Sequence, residues 1–412
     1  MRTILHSDLN NFYASVEVMK NPDYRDVPLV VTGSVEDRHG IVLAKNQLAK
    51  NLGVKTGEVL WEAKRKCGES LVRVTADFPS YNRVSKAVKA IYGRFTNHIE
   101  SFGIDECWLD VTDSVKNFGT GEEIAEKIRK AVKEEIGVTV SIGVSFNKIF
   151  AKLGSDMKKP DAITVIDKGN YKDTVWKLPA KDLLYVGRAT EKKLKSIGIN
   201  TIGDIATTDV KILTSLLGVW GKTLHTYANG EDDTPVADVR SVAKSIGNSL
   251  TDYKDLTNFD EVKTLILLLS ESVAARLRAS GLGKAGTIKL SVTDNQLRYY
   301  QKQMKIPVPT SSSVEIANYC YDMFKAIYKW ENPVRGAGVA VSGFTQGSIQ
   351  LSLLEDRDKS VKRDKLDATV DEIRKKYGNN SVQRARILSD KKLSEMDIHA
   401  EEDVKPFDRG GG

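Results

Sequence analysis

The sequence predicts a chain of mixed α and β structure built as several domains, and three observations carry that expectation. Over residues 3–144, short β-branched runs alternate with helices bearing an apolar stripe, the pattern of an α/β or α+β core. After about residue 168 the texture changes to short helices. A polar stretch, "NGEDDTPVADVRS" (229–241), contains Pro235 and reads as a linker, and beyond it strands return. At 412 residues the chain exceeds one ordinary core and fits about two to four domains.

Taken in order, "TILHSDLNNFYASVE" (3–17) reads as a strand, a turn at Asp8–Asn11 and an apolar-faced helix. "PLVVTG" (28–33) is a strand, and "IVLAKNQLAKNLGV" (41–54) runs from strand into helix. Tyr81, Val84, Val88, Ile91 and Phe95 recur at helical spacing in 81–95. The stripe Ile124, Ile128, Ala131, Val132 and Ile136 predicts an amphipathic helix over 122–136, stopped by Gly137 before the strand "VTVSIGV" (138–144). Shorter helices follow over 183–206 and 209–229. Beyond the linker come a long helix (259–280), strands at 286–294 and 336–344, and a tail helix at 362–378 with Leu366, Val370 and Ile373 on one face.

Composition narrows the class. No stretch approaches the roughly 18–20 consecutive apolar residues of a membrane span. The first residues lack a signal-peptide apolar region. Cys67, Cys107 and Cys320 are widely separated and odd in number, which fits a reducing, cytoplasmic setting rather than a disulfide framework. Net charge is +7, favouring anionic partners, nucleic acid first. Residues 240–350 hold 14 Lys and Arg against 9 Asp and Glu, whereas 351–412 hold 14 of each. A basic module thus precedes a balanced tail.

Within "GIDECWLD" (103–110), Asp105 and Glu106 are adjacent in an apolar run. Neighbours on a regular strand point to opposite faces, so both reach one site only where the alternation breaks, at a hairpin tip or bulge that Gly103 makes inexpensive. Asp8 ends the first strand. Three converging carboxylates would repel unless cations sat between them, and hard oxygen ligands suit Mg²⁺ shared with substrate phosphates. Equally, the pair forms a solvated hairpin tip and Asp8 an ordinary turn residue; spacing alone leaves both readings open.

Context adds to the spacing. "HSDLNNFYASVE" (6–17), "GIDECWLDVTDS" (103–114) and "SIGVSFNKIFAKLGSDMKKPDA" (141–162) together resemble the Y-family translesion DNA polymerases, in the bacterial DNA polymerase IV branch, over roughly residues 1–350. The resemblance implies a right-hand polymerase: an α+β palm (1–17 and 76–167), fingers (18–75), a helical thumb (168–230), a linker (231–241), an α/β little finger (242–350) and a tail (351–412). It implies that Asp8, Asp105 and Glu106, with the Leu9 carbonyl, hold two Mg²⁺ ions, Mn²⁺ being a possible substitute. It further implies dNTP addition to a primer 3′-hydroxyl on a template, low fidelity, no proofreading and a role in damage bypass.

By the same resemblance Tyr13 is a steric gate against the 2′-hydroxyl, backed by Phe12, and Lys159 reaches the triphosphate. The family's fingers carry a Tyr and an Arg on the triphosphate where this chain has Gln47 and Lys50; Lys50 keeps charge without the bidentate fork of Arg. Gly103 stands where a Ser is usual, and Asn10 where an acid is frequent. Lys148 and Lys152, one helical turn apart, face DNA phosphate or solvent. "YVGRATEKKLKSIGI" (185–199) resembles a helix-hairpin-helix, with Gly187 at the turn, Thr190 as N-cap and Lys192 and Lys193 toward phosphate. Arg240 and Lys244 are expected on phosphate as well. "QLSLL" (350–354) resembles a sliding-clamp peptide, Gln350 entering a polar pocket and Leu351, Leu353 and Leu354 an apolar one, although the segment also alternates well enough for a strand. The expected state is a monomer without a membrane segment. Two alternatives remain: a nucleotide cyclase, which needs neither hairpin nor basic module, and a DNA-binding scaffold with a decayed site.

Overall fold

The computed structural model of the chain describes residues 2–33, 40–236, 243–345 and 357–396. Most of residues 1–240 form one compact unit and most of 241–403 another. Arg240, Gln350, Leu351, Leu353 and Leu354, named above for DNA and clamp binding, lie outside the described residues.

In the first unit a five-stranded sheet runs in the order Ile99–Ser101, Glu106–Asp110, Ile4–Leu9, Val140–Ser145, Ile163–Ile166. The central strand Ile4–Leu9 is buried throughout and antiparallel to both neighbours, with Asp8 opposite Glu106 on one side and Ser141 on the other. Pleating divides its side chains. Leu5 and Leu9 enter a core with helices Phe12–Lys20, Phe78–Tyr92 and Gly121–Glu135. Ile4, His6 and Asp8 turn the other way, toward helix Lys148–Met157 and the loop after it. Helix Gly121–Glu135 begins with a capping box between Thr120 and Glu123 and stops before Gly137 (φ 87°), as its stripe predicts.

Helix Lys148–Met157 lies unusually close to the sheet because two glycines allow it. A Cβ on Gly143 would meet the Ala151 carbonyl at 1.8 Å, and one on Gly154 would meet the Gly143 Cα at 3.1 Å. A smaller sheet in the same unit orders Val42–Lys45, Leu29–Thr32, Val72–Thr75, and short helices Arg188–Lys195, Ile202–Thr207, Val210–Leu217 and Val219–Ala228 form a separate core with Phe150 and Leu153. Residues 231–236, expected to begin a linker, are pinned down: Arg2 donates to the Thr234 carbonyl at 2.7 Å, and Val236 packs on Ile4 and Trp108.

The second unit is an antiparallel sheet in the order Tyr299–Thr310, Lys284–Asp294, Val334–Thr345, Ser245–Leu256, with helices Phe259–Ser280 and Ser313–Ile327 buried against one face. Across its other face, register aligns Lys305 with Thr287 and Ser342, and Lys289 with Gln303 and Ala340.

The tail helix Arg357–Tyr377 packs back onto this unit, but not by the apolar stripe the spacing suggested. Leu366 is exposed, while Asp367 and Arg374 are buried. Arg374 pairs with Glu271 at 2.8 Å, Arg384 bridges Glu271 (2.5 Å) and Asp367 (3.2 Å), and Arg278 grips Asp371 at 2.6 and 2.8 Å. A charge network, completed by Ile387 and Leu393 against Leu268, closes the tail on helix Phe259–Ser280. Among the described residues no helix is long and apolar enough to cross a membrane.

Candidate active site

The adjacent acids break strand alternation at a tight turn. Gly103 sits at φ 106°, the strand begins only at Glu106, and the Asp105 carbonyl accepts the Leu9 N–H at 3.0 Å. Asp105 therefore caps the end of the central strand while Glu106, first in its own strand, shares the face of Asp8. Burial, then the Glu106 charge, lifts Asp8 to about 6 against the pull of Lys159. Burial followed by Glu106 and Asp8 lifts Asp105 to about 6 as well. The Glu106 charge thus raises the cost of ionising both Asp8 and Asp105.

Helix Lys148–Met157 and its following loop answer this charge with a row of amines. Lys148 bonds both Glu100 oxygens at 2.6 and 2.7 Å, Lys152 meets Glu106 at 2.6 Å, and Lys159 meets Asp8 and Asp156 at 2.8 Å each. The side chains of Lys148 and Lys152 are 11% and 13% exposed, so they face acidic residues of the sheet; this corrects both the phosphate and the solvent readings. Their i, i+4 spacing could not distinguish a free face from one laid on carboxylates.

The residues fit a divalent cation by chemistry, since hard carboxylate oxygens at the end of one strand pair repel one another and a cation would relieve them. The oxygens of Asp8 and Glu106 are nevertheless turned onto lysine. Among the described residues no group of three or more His, Cys, Asp or Glu side chains converges to hold a metal.

Tyr13 stacks on Tyr81 with centroids 4.3 Å apart and meets Phe78 edge-on at 5.9 Å, while Phe12 is buried behind it. Burial and then the Asp105 charge push the Tyr13 phenol up to about 12. Asn10 bonds Ser141 at 2.8 Å and accepts from Thr139 and the Asp161 N–H, tying the loop of Lys159 to the strand ends. In the smaller sheet region Gln47 donates to Asn51 at 2.8 Å and Lys50 is exposed. Sequence reasoning passed over Lys45, whose amine is pushed down by burial and by the neighbouring Lys50.

Gly187, rather than Thr190, caps helix Arg188–Lys195. Thr190 lies inside the helix because residues 188 and 189 already take helical conformation, which corrects the capping expectation. Lys192 and Lys193 are exposed, as is Lys244 near the start of the second unit. A groove of about 960 Å³ is lined by Phe102, Lys152, Asp156, Tyr185, Gly187 and Trp220, bringing Phe102, which precedes the acidic turn, and the Gly187 turn to one opening. Phe102 and Trp220 went unremarked in the sequence because their value lies in that non-local juxtaposition, and His6 because its value lies in its approach to Glu106.

Comparison with known proteins now places the chain. A family model described as the impB/mucB/samB family matches residues 7–156, and its C-terminal domain model matches 243–353. The DNA polymerase IV of Acetivibrio thermocellus is 49% identical over 399 residues, covering 96% of this chain and 100% of that protein. That of Clostridium acetobutylicum is 36% identical over 94% of this chain and 98% of its own length. A solved Y-family DNA polymerase chimera superposes with a TM-score of 0.74 at 26% identity, over 84% of this chain and 100% of its own. With both domain models in register and a relative aligned over its full length, the chain belongs to the impB/mucB/samB family, the Y-family DNA polymerases of the DNA polymerase IV branch.

Proposed function

We propose that this polymerase adds dNTPs to a primer 3′-hydroxyl by phosphoryl transfer supported by two Mg²⁺ ions, with low fidelity and no proofreading, in damage bypass. One observation carries the reading: two carboxyls held near 6 and a third beside them gather at the ends of paired strands, with Asp8 opposite Glu106. Asp8, Asp105, Glu106 and the Leu9 carbonyl would hold the ions. When bound, such ions acidify the primer hydroxyl and neutralise the leaving pyrophosphate. Lys159, raised by Asp8 and Asp156 against the effect of burial, stays cationic and can turn to the triphosphate, joined by Gln47 and Lys50. Gly187, Lys192, Lys193, Arg240 and Lys244 would contact phosphate, giving register and salt sensitivity without reading sequence.

The domain reading follows: residues 1–17 and 76–167 act as palm, 18–75 as fingers, 168–230 as thumb and 242–350 as little finger. The protein would work as a monomer in the cytoplasm and take a sliding clamp through Gln350, Leu351, Leu353 and Leu354. Primer extension tests the core of this. Wild type with Mg²⁺ is expected to extend a primer distributively. Asp105→Ala with Glu106→Ala is expected to lose at least about 10³-fold in rate, the scale of lost electrostatic stabilisation, while binding DNA as before. Extension that survives the double substitution would sink the assignment.

Tyr13 offers a separate check. Its ring is clamped between Tyr81, Phe78 and Phe12, so it presents a fixed edge rather than a mobile one. Tyr13→Ala is expected to raise ribonucleotide incorporation relative to dNTP by about tenfold or more, some 1.4 kcal/mol of lost discrimination. An unchanged ratio in single-nucleotide insertion would remove Tyr13 from the gate.

A further inference from the structure

Glu106 is held by a constellation that its role as a ligand does not require. Lys152 Nζ lies 2.6 Å from Glu106 Oε2, and His6 Nε2 lies 3.3 Å from the same oxygen. The histidine orientation can be deduced. Ser155 Oγ donates its single hydrogen to the Lys152 carbonyl at 2.7 Å, so at 2.8 Å it accepts from His6 Nδ1–H. Nε2 is then a bare lone pair, fully buried and without a hydrogen-bond partner, facing a carboxylate oxygen. Two acceptors side by side repel, and the Lys152 ammonium is the positive charge that reconciles them.

Lys152 is itself constrained. Its ammonium sits 5.4 Å from the Phe102 ring centroid, Phe102 leans on Trp108 at 4.5 Å, and both Phe102 and Lys152 line the groove. His6 meets the edge of Trp108 at 5.2 Å. Both contacts to Glu106 fall on Oε2, so Oε1 is the oxygen engaged by neither.

We propose that Lys152, set by the His6–Ser155 pair, is a positioning residue that fixes the Glu106 carboxylate with Oε2 held on the ammonium and Oε1 left for the cation. This rests on Glu106 serving the transfer reaction. Losing the ammonium frees Glu106 to rotate and leaves Oε2 facing an uncompensated lone pair. Because Lys152 is a cation beside the acids, its removal does not weaken cation binding electrostatically. Geometry fails while affinity holds.

Lys152→Met, Lys152→Arg and Ser155→Ala would be compared with wild type by single-turnover insertion, with Mn²⁺ affinity of the free protein read by electron paramagnetic resonance and Tm by calorimetry. For Lys152→Met the expected result is a fall in kcat of about tenfold or more, dNTP KM within about twofold, and Mn²⁺ affinity equal or tighter. Lys152→Arg recovers part of kcat, and Ser155→Ala, which unlocks His6, lowers it by a smaller factor at near-native Tm. Unchanged kcat in Lys152→Met, or parallel loss of kcat, Mn²⁺ affinity and Tm, overturns the proposal. Activity surviving Asp105→Ala with Glu106→Ala would instead sink the underlying reading, which separates the two failures.

Discussion

Asp105→Asn is expected to stabilise the metal-free protein while abolishing its activity. Asp105 is raised from 3.8 to about 6, by burial first and then by Glu106 and Asp8. A folded value above the unfolded one means that the stability present below about pH 4 is lost as pH rises through about 6. At roughly 1.36 kcal/mol per unit, the ionised carboxylate costs up to about 3 kcal/mol at pH 7.5. Asparagine removes that cost and keeps the shape.

In chelator at pH 7.5 the variant should therefore unfold at higher denaturant than wild type, and the gap should close by about pH 4. Saturating Mg²⁺ should reverse the order, since only wild type gains from binding. Insertion should fall at least about 10³-fold. A variant no more stable than wild type in chelator would mean that the three carboxylates are not held against one another, and the cation site would lose its physical basis.

Glu271→Ala should release the tail. The Glu271 side chain is 6% exposed and is shared by Arg374 and Arg384, so truncation strands two guanidinium groups against the second unit. Removing one partner of a buried ion pair costs about 3–5 kcal/mol. Arg384 would keep Asp367 and Ser313, and Arg374 the Val382 carbonyl at 2.8 Å, so partial attachment sets the lower end of that range. Limited proteolysis is expected to cut within 357–396 well before 243–345, and a variant with Leu at 271, 374 and 384 should regain much of the protection. Equal protection in wild type and Glu271→Ala would show that Ile387 and Leu393 hold the tail by themselves.

Much of this was legible beforehand for local reasons. Thr120 and Glu123 with the Ile124–Ile128–Val132 stripe specify a helix wherever it lies, and Gly103 before two acids announces a break in a strand. The strand Tyr299–Thr310 and helix Ser313–Ile327 were not anticipated. The strand is half polar because one sheet face is open, and it contains Pro307 and Pro309, which read as breakers.

Charged residues marked the limit. Lys148 and Lys152 on one helix, and Asp367, Arg374 and Leu366 on another, have spacings that fit a solvated face as well as a buried one, and only the partners decide which it is. Those partners lie far along the chain: Glu106 is 46 residues from Lys152 and Glu271 is 103 from Arg374. By itself, then, the sequence determined most of the elements, the family and the adjacent acids as candidates, because caps, periodicity and motifs act through neighbours in the chain. Tertiary structure alone decided that lysines rather than solvent face those acids, that His6 turns a bare nitrogen toward Glu106, and that the tail closes by charge. Burial and pairing across the fold set the energy of an ionised side chain, and no local pattern encodes them.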